Sequence, residues 1–91
     1  MKSVLTIGRS SSCDIILDGE KISREHARIS IAGGKYVFQN VGRYGSYMNG
    51  VLLGNEKIVI APNAEIMLAG TTPLPWTHIL KMMPLKGIVV K

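Results

Sequence analysis

A single cysteine, Cys13, excludes an intramolecular disulfide, and without a paired Cys/His cluster it also excludes a structural zinc site. Its expected place is a small buried or half-buried position. Aromatic residues make up only 5% of the chain, so the core must be built mostly of Ile, Leu, Val and Met around Tyr36, Phe38, Tyr47 and Trp76. No apolar run approaches the roughly 20 residues that cross a bilayer, so no membrane contact is expected within this segment. Before Gly8 the N-terminus offers one charge and too short an apolar run for a secretory signal, which makes the cytoplasm the expected location. Acidic residues number six and histidines two. No pair of them, nor either type with Cys13, has the spacing of a metal site, a nucleophile elbow or an acid/base pair. The sequence therefore points to no enzyme and calls for no cofactor.

What is present is 46% hydrophobic residues in 91, enough for one core. Short apolar runs recur at intervals of about ten residues between Gly, Ser, Asn and Pro, the signature of an all-β fold with no substantial helix. Strands are expected at residues 4–7 and 14–17, the second ending at Asp18-Gly19. Residues 27–31 alternate with period 2, placing Ala27, Ile29 and Ile31 on a buried face and Arg28 and Ser30 in water. Gly33-Gly34 and Asn49-Gly50 each supply the positive φ values of a tight hairpin, joining residues 27–31 to 35–39 and 46–48 to 51–53. Further strands are expected at 57–60, 65–68 and 76–82, divided by Pro62-Asn63, Gly70 and Pro73-Leu74-Pro75. Eight or more short strands make a two-sheet β-sandwich, or a barrel, of antiparallel and mixed pairings. A domain over residues 1–82 is expected, with 83–91 a terminal strand or the start of a linker.

The formal net charge is +5 and the isoelectric point about 9.7, which favours acidic or phosphorylated partners, nucleic acid or anionic membrane. The eleven basic residues are scattered and never form a run. They also lack the interleaved aromatics of a single-strand stacking platform, so nucleic acid is not the expected partner. The polar residues of interest lie in loops, where a rigid β scaffold places binding groups.

Three ordered segments resemble the forkhead-associated (FHA) family. Ile7-Gly8-Arg9 followed by residues 13–17 is similar to its Gly-Arg segment and next strand, Ser23-Arg24-Glu25-His26 to its Ser-x-x-His segment, and residues 44–50 to its stretch ending in Asn-Gly. Residues 64–70 resemble its late strand and turn. The resemblance implies an SMAD/FHA-like sandwich that binds phosphothreonine peptides in signalling, through loops at one end. It implies that Arg9 contacts the phosphate, a role suited to the fixed fork of a guanidinium. Ser23 would donate its hydroxyl to the phosphate, while Lys21 and Arg24 touch the phosphate or read flanking peptide residues. His26 would be structural, holding the Ser23 loop, with Gly8, Gly45, Asn49 and Gly50 shaping turns. The departure is at Gly42-Arg43-Tyr44, where the family usually has Ser or Thr and then Asn. Arg43 can replace the hydroxyl with a cationic contact, whereas Tyr44 lacks the paired donor and acceptor of an Asn amide. A phosphorylation-independent assembly domain with the same fold is the alternative, and the chain is expected to be part of a larger protein or complex.

Overall fold

A computed structural model describes residues 3–85. Among the described residues nine strands form two sheets: β1 (Val4–Gly8), β2 (Ile15–Ile16), β3 (Ala27–Ala32), β4 (Lys35–Asn40), β5 (Ser46–Met48), β6 (Val51–Leu52), β7 (Ile58–Ile60), β8 (Ile66–Leu68) and β9 (Thr72–Pro73). The first sheet runs β2-β1-β3-β4-β7 and the second β6-β5-β8-β9. β1 and β2 are parallel, while the other pairs are antiparallel, so the expected mixed sandwich is the observed one. Period-2 alternation builds the core: Leu5 and Ile7 from β1, Ala27 and Ile29 from β3, and Tyr36 and Phe38 from β4 face Ile66 and Leu68 of β8. The two hairpins form as read, with Gly33 and Gly34 at φ 59° and 76° and Asn49 and Gly50 at 51° and 81°.

Residues 76–82 correct the sequence reading. They form a helix, α1 (Trp76–Met82), where a strand was expected. Trp76, Ile79, Leu80 and Met83 recur at the i, i+3, i+4, i+7 spacing that puts one helical stripe on the core. Ile79 and Met83 are fully buried, and Trp76 and Leu80 pack against the cluster. The Trp76 ring meets Tyr36 edge-on, with centroids 5.3 Å apart, and its Nε1–H donates to the Ala64 carbonyl at 2.7 Å. Tyr36 in turn donates its hydroxyl to the Met83 carbonyl at 2.7 Å. Pro75 flanks the start, Lys81 lies in the last turn and Pro84 follows the end, all favourable placements. The expected terminal strand or linker over 83–91 falls, past Leu85, outside the described residues.

Candidate functional site

The ends of β1, β3 and β5 bring three loops together: residues 9–14, residues 17–26 and residues 41–45. Backbone hydrogen bonds fasten the first two. Arg9 N–H donates to the Ser23 carbonyl at 3.0 Å and Ser10 N–H to the Arg24 carbonyl at 3.1 Å. Gly8 is required at this crossing, because a Cβ there would collide with the Arg24 carbonyl and the Glu25 Cα.

His26 fastens the third loop. It is fully buried, its N–H donates to the Ile7 carbonyl at 2.8 Å, and its carbonyl accepts from Val41 and Gly42, each at 2.9 Å. The ring Nδ1 accepts from Ser23 N–H at 3.1 Å, so the ring proton belongs on Nε2, which donates to the Gly45 carbonyl at 2.8 Å. One imidazole thus joins the Ser23 loop to the β4–β5 loop. Gly42 lies against the ring, and a Cβ there would sit 2.6 Å from its Cγ and Nδ1. Gly45 holds φ +78°, and its Cβ direction is occupied by the Leu52 side chain at 2.8 Å.

Ser23 is held by the backbones of two exposed residues, Arg9 and Arg43. Its Oγ accepts from Arg43 N–H at 2.9 Å, which positions the hydroxyl and keeps its own proton available to an incoming acceptor. Arg9 and Arg43, whose backbone N–H groups both bond Ser23, are exposed. Neither guanidinium has an ion-pair partner among the described residues. Tyr44 follows at 54% exposure. Lys21 is exposed on the β2–β3 segment with no ion pair among the described residues. Asn49 and Gly50 shape the β5–β6 turn and lie outside the hydrogen bonds that join the three loops.

Arg24 stands apart from this group. It lines a cavity of about 330 Å³ with Thr6, Ser10, Ser12, Cys13 and Glu25, and none of Arg9, Ser23 or Arg43 lines it. The half-buried Cys13 thiol donates to the Arg24 carbonyl at 3.1 Å. A larger cavity of about 420 Å³ lies on the outer face of the first sheet. Its Glu25 and Arg28 satisfy each other in a two-bond pair. The Arg28 hydrogen bond holds the Glu25 carboxyl below its ordinary range.

Sequence reasoning missed the polar group that supports the third loop. Buried Asn40 donates to the Gly42 carbonyl at 3.2 Å and to Asn55 Oδ1 at 3.0 Å, and buried Ser46 donates to Asn40 Oδ1 at 2.7 Å. The only sequence signal was an Asn ending a strand whose alternation turns it inward.

No functionally curated protein matches the chain. The family model described as the FHA domain matches residues 5–69. Solved structures share the fold. Rad53 1-466 in complex with AMP-PNP is 26% identical with a TM-score of 0.66, the match covering 71% of this chain and 18% of that one. Mycobacterium tuberculosis EmbR in complex with a low-affinity phosphopeptide is 25% identical, also with a TM-score of 0.66, covering 72% and 17%. The N-terminal FHA domain of S. cerevisiae Rad53p in complex with a phosphothreonine peptide is 24% identical with a TM-score of 0.64, covering 72% and 58%. The matched region thus spans less than a fifth of the Rad53 1-466 and EmbR chains. With the family match running over more than half of its residues and the two-sheet fold in place, the chain belongs to the FHA domain family.

Proposed function

We propose that this domain binds phosphothreonine-containing peptides or proteins through Arg9, Ser23 and Arg43, as a signalling module in the cytoplasm and not as an enzyme. One observation carries the reading: Ser23 Oγ is engaged as an acceptor by Arg43 N–H, so its proton is free for a phosphate oxygen, and the two residues whose backbones bond Ser23 are exposed arginines. Two guanidiniums and a hydroxyl suit a dianionic, three-oxygen group. The phosphopeptide complexes of EmbR and the Rad53p FHA domain support the same reading. Tyr44 offers the peptide an exposed ring where an Asn amide would grip its backbone. Affinity is expected near micromolar, about −8 kcal/mol, because a short peptide must offset its own ordering entropy. The test is a degenerate phosphothreonine library titrated beside the same library with unmodified threonine. Equal binding of the two overturns the proposal.

A second reading, assembly independent of phosphorylation, is favoured by the outer face of the second sheet. The register places Leu52 beside Tyr47, Tyr47 beside Met67 and Met67 beside Pro73, a row crossing all four strands. These strands contain no charged residue, and Leu52 is 60% exposed. Light scattering during size exclusion, in excess phosphate, distinguishes the readings: a strictly monomeric domain that associates with no protein partner removes this one.

A further inference from the structure

We infer that the Ser10, Ser12 and Arg24 cavity is a second anion subsite, which takes a second phosphoryl group on the same peptide. The inference rests on the phosphothreonine reading of the neighbouring site. The cavity of about 330 Å³ is roomy for a phosphoryl group, and its wall is made of Thr6, Ser10, Ser12, Cys13, Arg24 and Glu25. Ser10 and Ser12 share one hydrogen bond, Oγ to Oγ at 2.8 Å, and Ser10 Oγ also accepts from Ser12 N–H at 3.2 Å. Only one of the two hydroxyl protons is consumed in that pair, so the other remains to be donated. The backbone beneath is fixed, since the Arg24 carbonyl accepts both Ser10 N–H and the Cys13 thiol. Arg24 is exposed and has no ion-pair partner among the described residues. Glu25 lines the cavity, but its carboxylate is engaged by Arg28, and the neighbouring Asp14 accepts from Thr6 N–H and Thr6 Oγ1, which moderates their repulsion of an anion.

The two subsites are neighbours through the chain itself. Arg9 and Ser23 belong to the first, and the residues after them, Ser10 and Arg24, belong to the second, across the same two backbone hydrogen bonds. Successive Cα atoms are about 3.8 Å apart, so one extended peptide reaches both within a few residues. The chemistry of the wall suits a phosphoryl group or an acidic side chain, and a guanidinium with hydroxyl donors favours the former for its charge and oxygen count.

The experiment places a second phosphoserine, or a glutamate, at each position from three before to three after the phosphothreonine and compares each Kd with that of the monophosphopeptide. The expected result is a tenfold or greater gain for phosphoserine at one or two positions, with a smaller gain for glutamate there. Arg24→Ala and Ser12→Asp should each bring the ratio of the two Kd values near one, while Lys35→Ala, at the far hairpin, leaves the ratio as it was. A monophosphopeptide that binds with no gain at any position overturns this inference alone. So does a gain that persists in both cavity variants, or one that Lys35→Ala removes equally, since either shows general attraction to a basic domain. Failure of every phosphopeptide to bind overturns the phosphothreonine reading and this inference together.

Discussion

His26 joins two of the loops, both of its ring nitrogens being occupied by backbone groups, and the structural role proposed for it can be tested by substitution. His26→Ala leaves the half-buried Ser23 N–H without its partner, leaves the Gly45 carbonyl with Ala69 N–H alone, and opens a cavity. The expected cost is about 2–4 kcal/mol of stability, measured by denaturant unfolding, with weaker phosphopeptide binding as a consequence. Nitrogen-detected NMR should show the proton on Nε2, the tautomer the hydrogen bonds require. Gly42→Ala tests the same junction sterically: the added Cβ meets the ring at 2.6 Å, and a loss of about 1–3 kcal/mol is expected. A parent-like unfolding midpoint would show that the ring and its loop can separate. At Tyr44 the expectation has the opposite sign. Restoring an amide with Tyr44→Asn should tighten phosphopeptide binding by about 1 kcal/mol, the worth of a net hydrogen bond, read by calorimetric titration. The motif residues were legible because each carries its chemistry in its type. The Asn40, Ser46 and Asn55 group was not, because it joins residues remote in sequence through atoms that only the folded loop brings together.

Among the elements, most strands announced themselves through period-2 alternation and glycine turns, and the deviations have physical causes. β9 is two residues long and contains Pro73, so neither alternation nor propensity marks it; its proline is tolerated at the edge of the second sheet. Helix α1 was misread because seven residues bounded by prolines look like a strand when only apolar content is counted. The 3.6-residue period of Trp76, Ile79, Leu80 and Met83 was the available signal. Since Ile79 is fully buried, Ile79→Ala should cost about 2–5 kcal/mol in chemical denaturation. Because the helix packs through Tyr36 and Ala64 and, among the described residues, makes no hydrogen bond to the three loops, phosphopeptide affinity measured on the remaining folded protein should stay close to the parent value. A selective loss of affinity would instead tie α1 to the binding end.

For the whole molecule, the sandwich separates its tasks: an apolar core between the sheets, a loop cluster at one end whose arginines have no ion pair among the described residues, and a second sheet whose strands carry no charged residue. The alkaline limb of stability reports on the core. Burial raises the Tyr36 pKa above its ordinary value near 10, so the folded state holds the phenolic proton more tightly than the unfolded state. Its contribution is therefore fully present below about pH 10 and is lost as pH rises through the folded value. Tyr36→Phe should flatten that limb in unfolding curves recorded between pH 8 and 11, at a modest cost from the lost bond to Met83. The central claim, however, concerns the loop end, and Arg9 tests it most directly. Its guanidinium is exposed and free of a carboxylate among the described residues, beside a Ser23 whose position its own backbone helps to fix. Calorimetric titration of one phosphothreonine peptide into the parent and Arg9→Ala proteins, with thermal unfolding of both, is the decisive measurement. Loss of about 2–5 kcal/mol of binding with an unchanged melting temperature is predicted, because truncating one partner leaves the phosphate charge unpaired. Binding of the phosphopeptide by Arg9→Ala as tightly as by the parent would contradict the account.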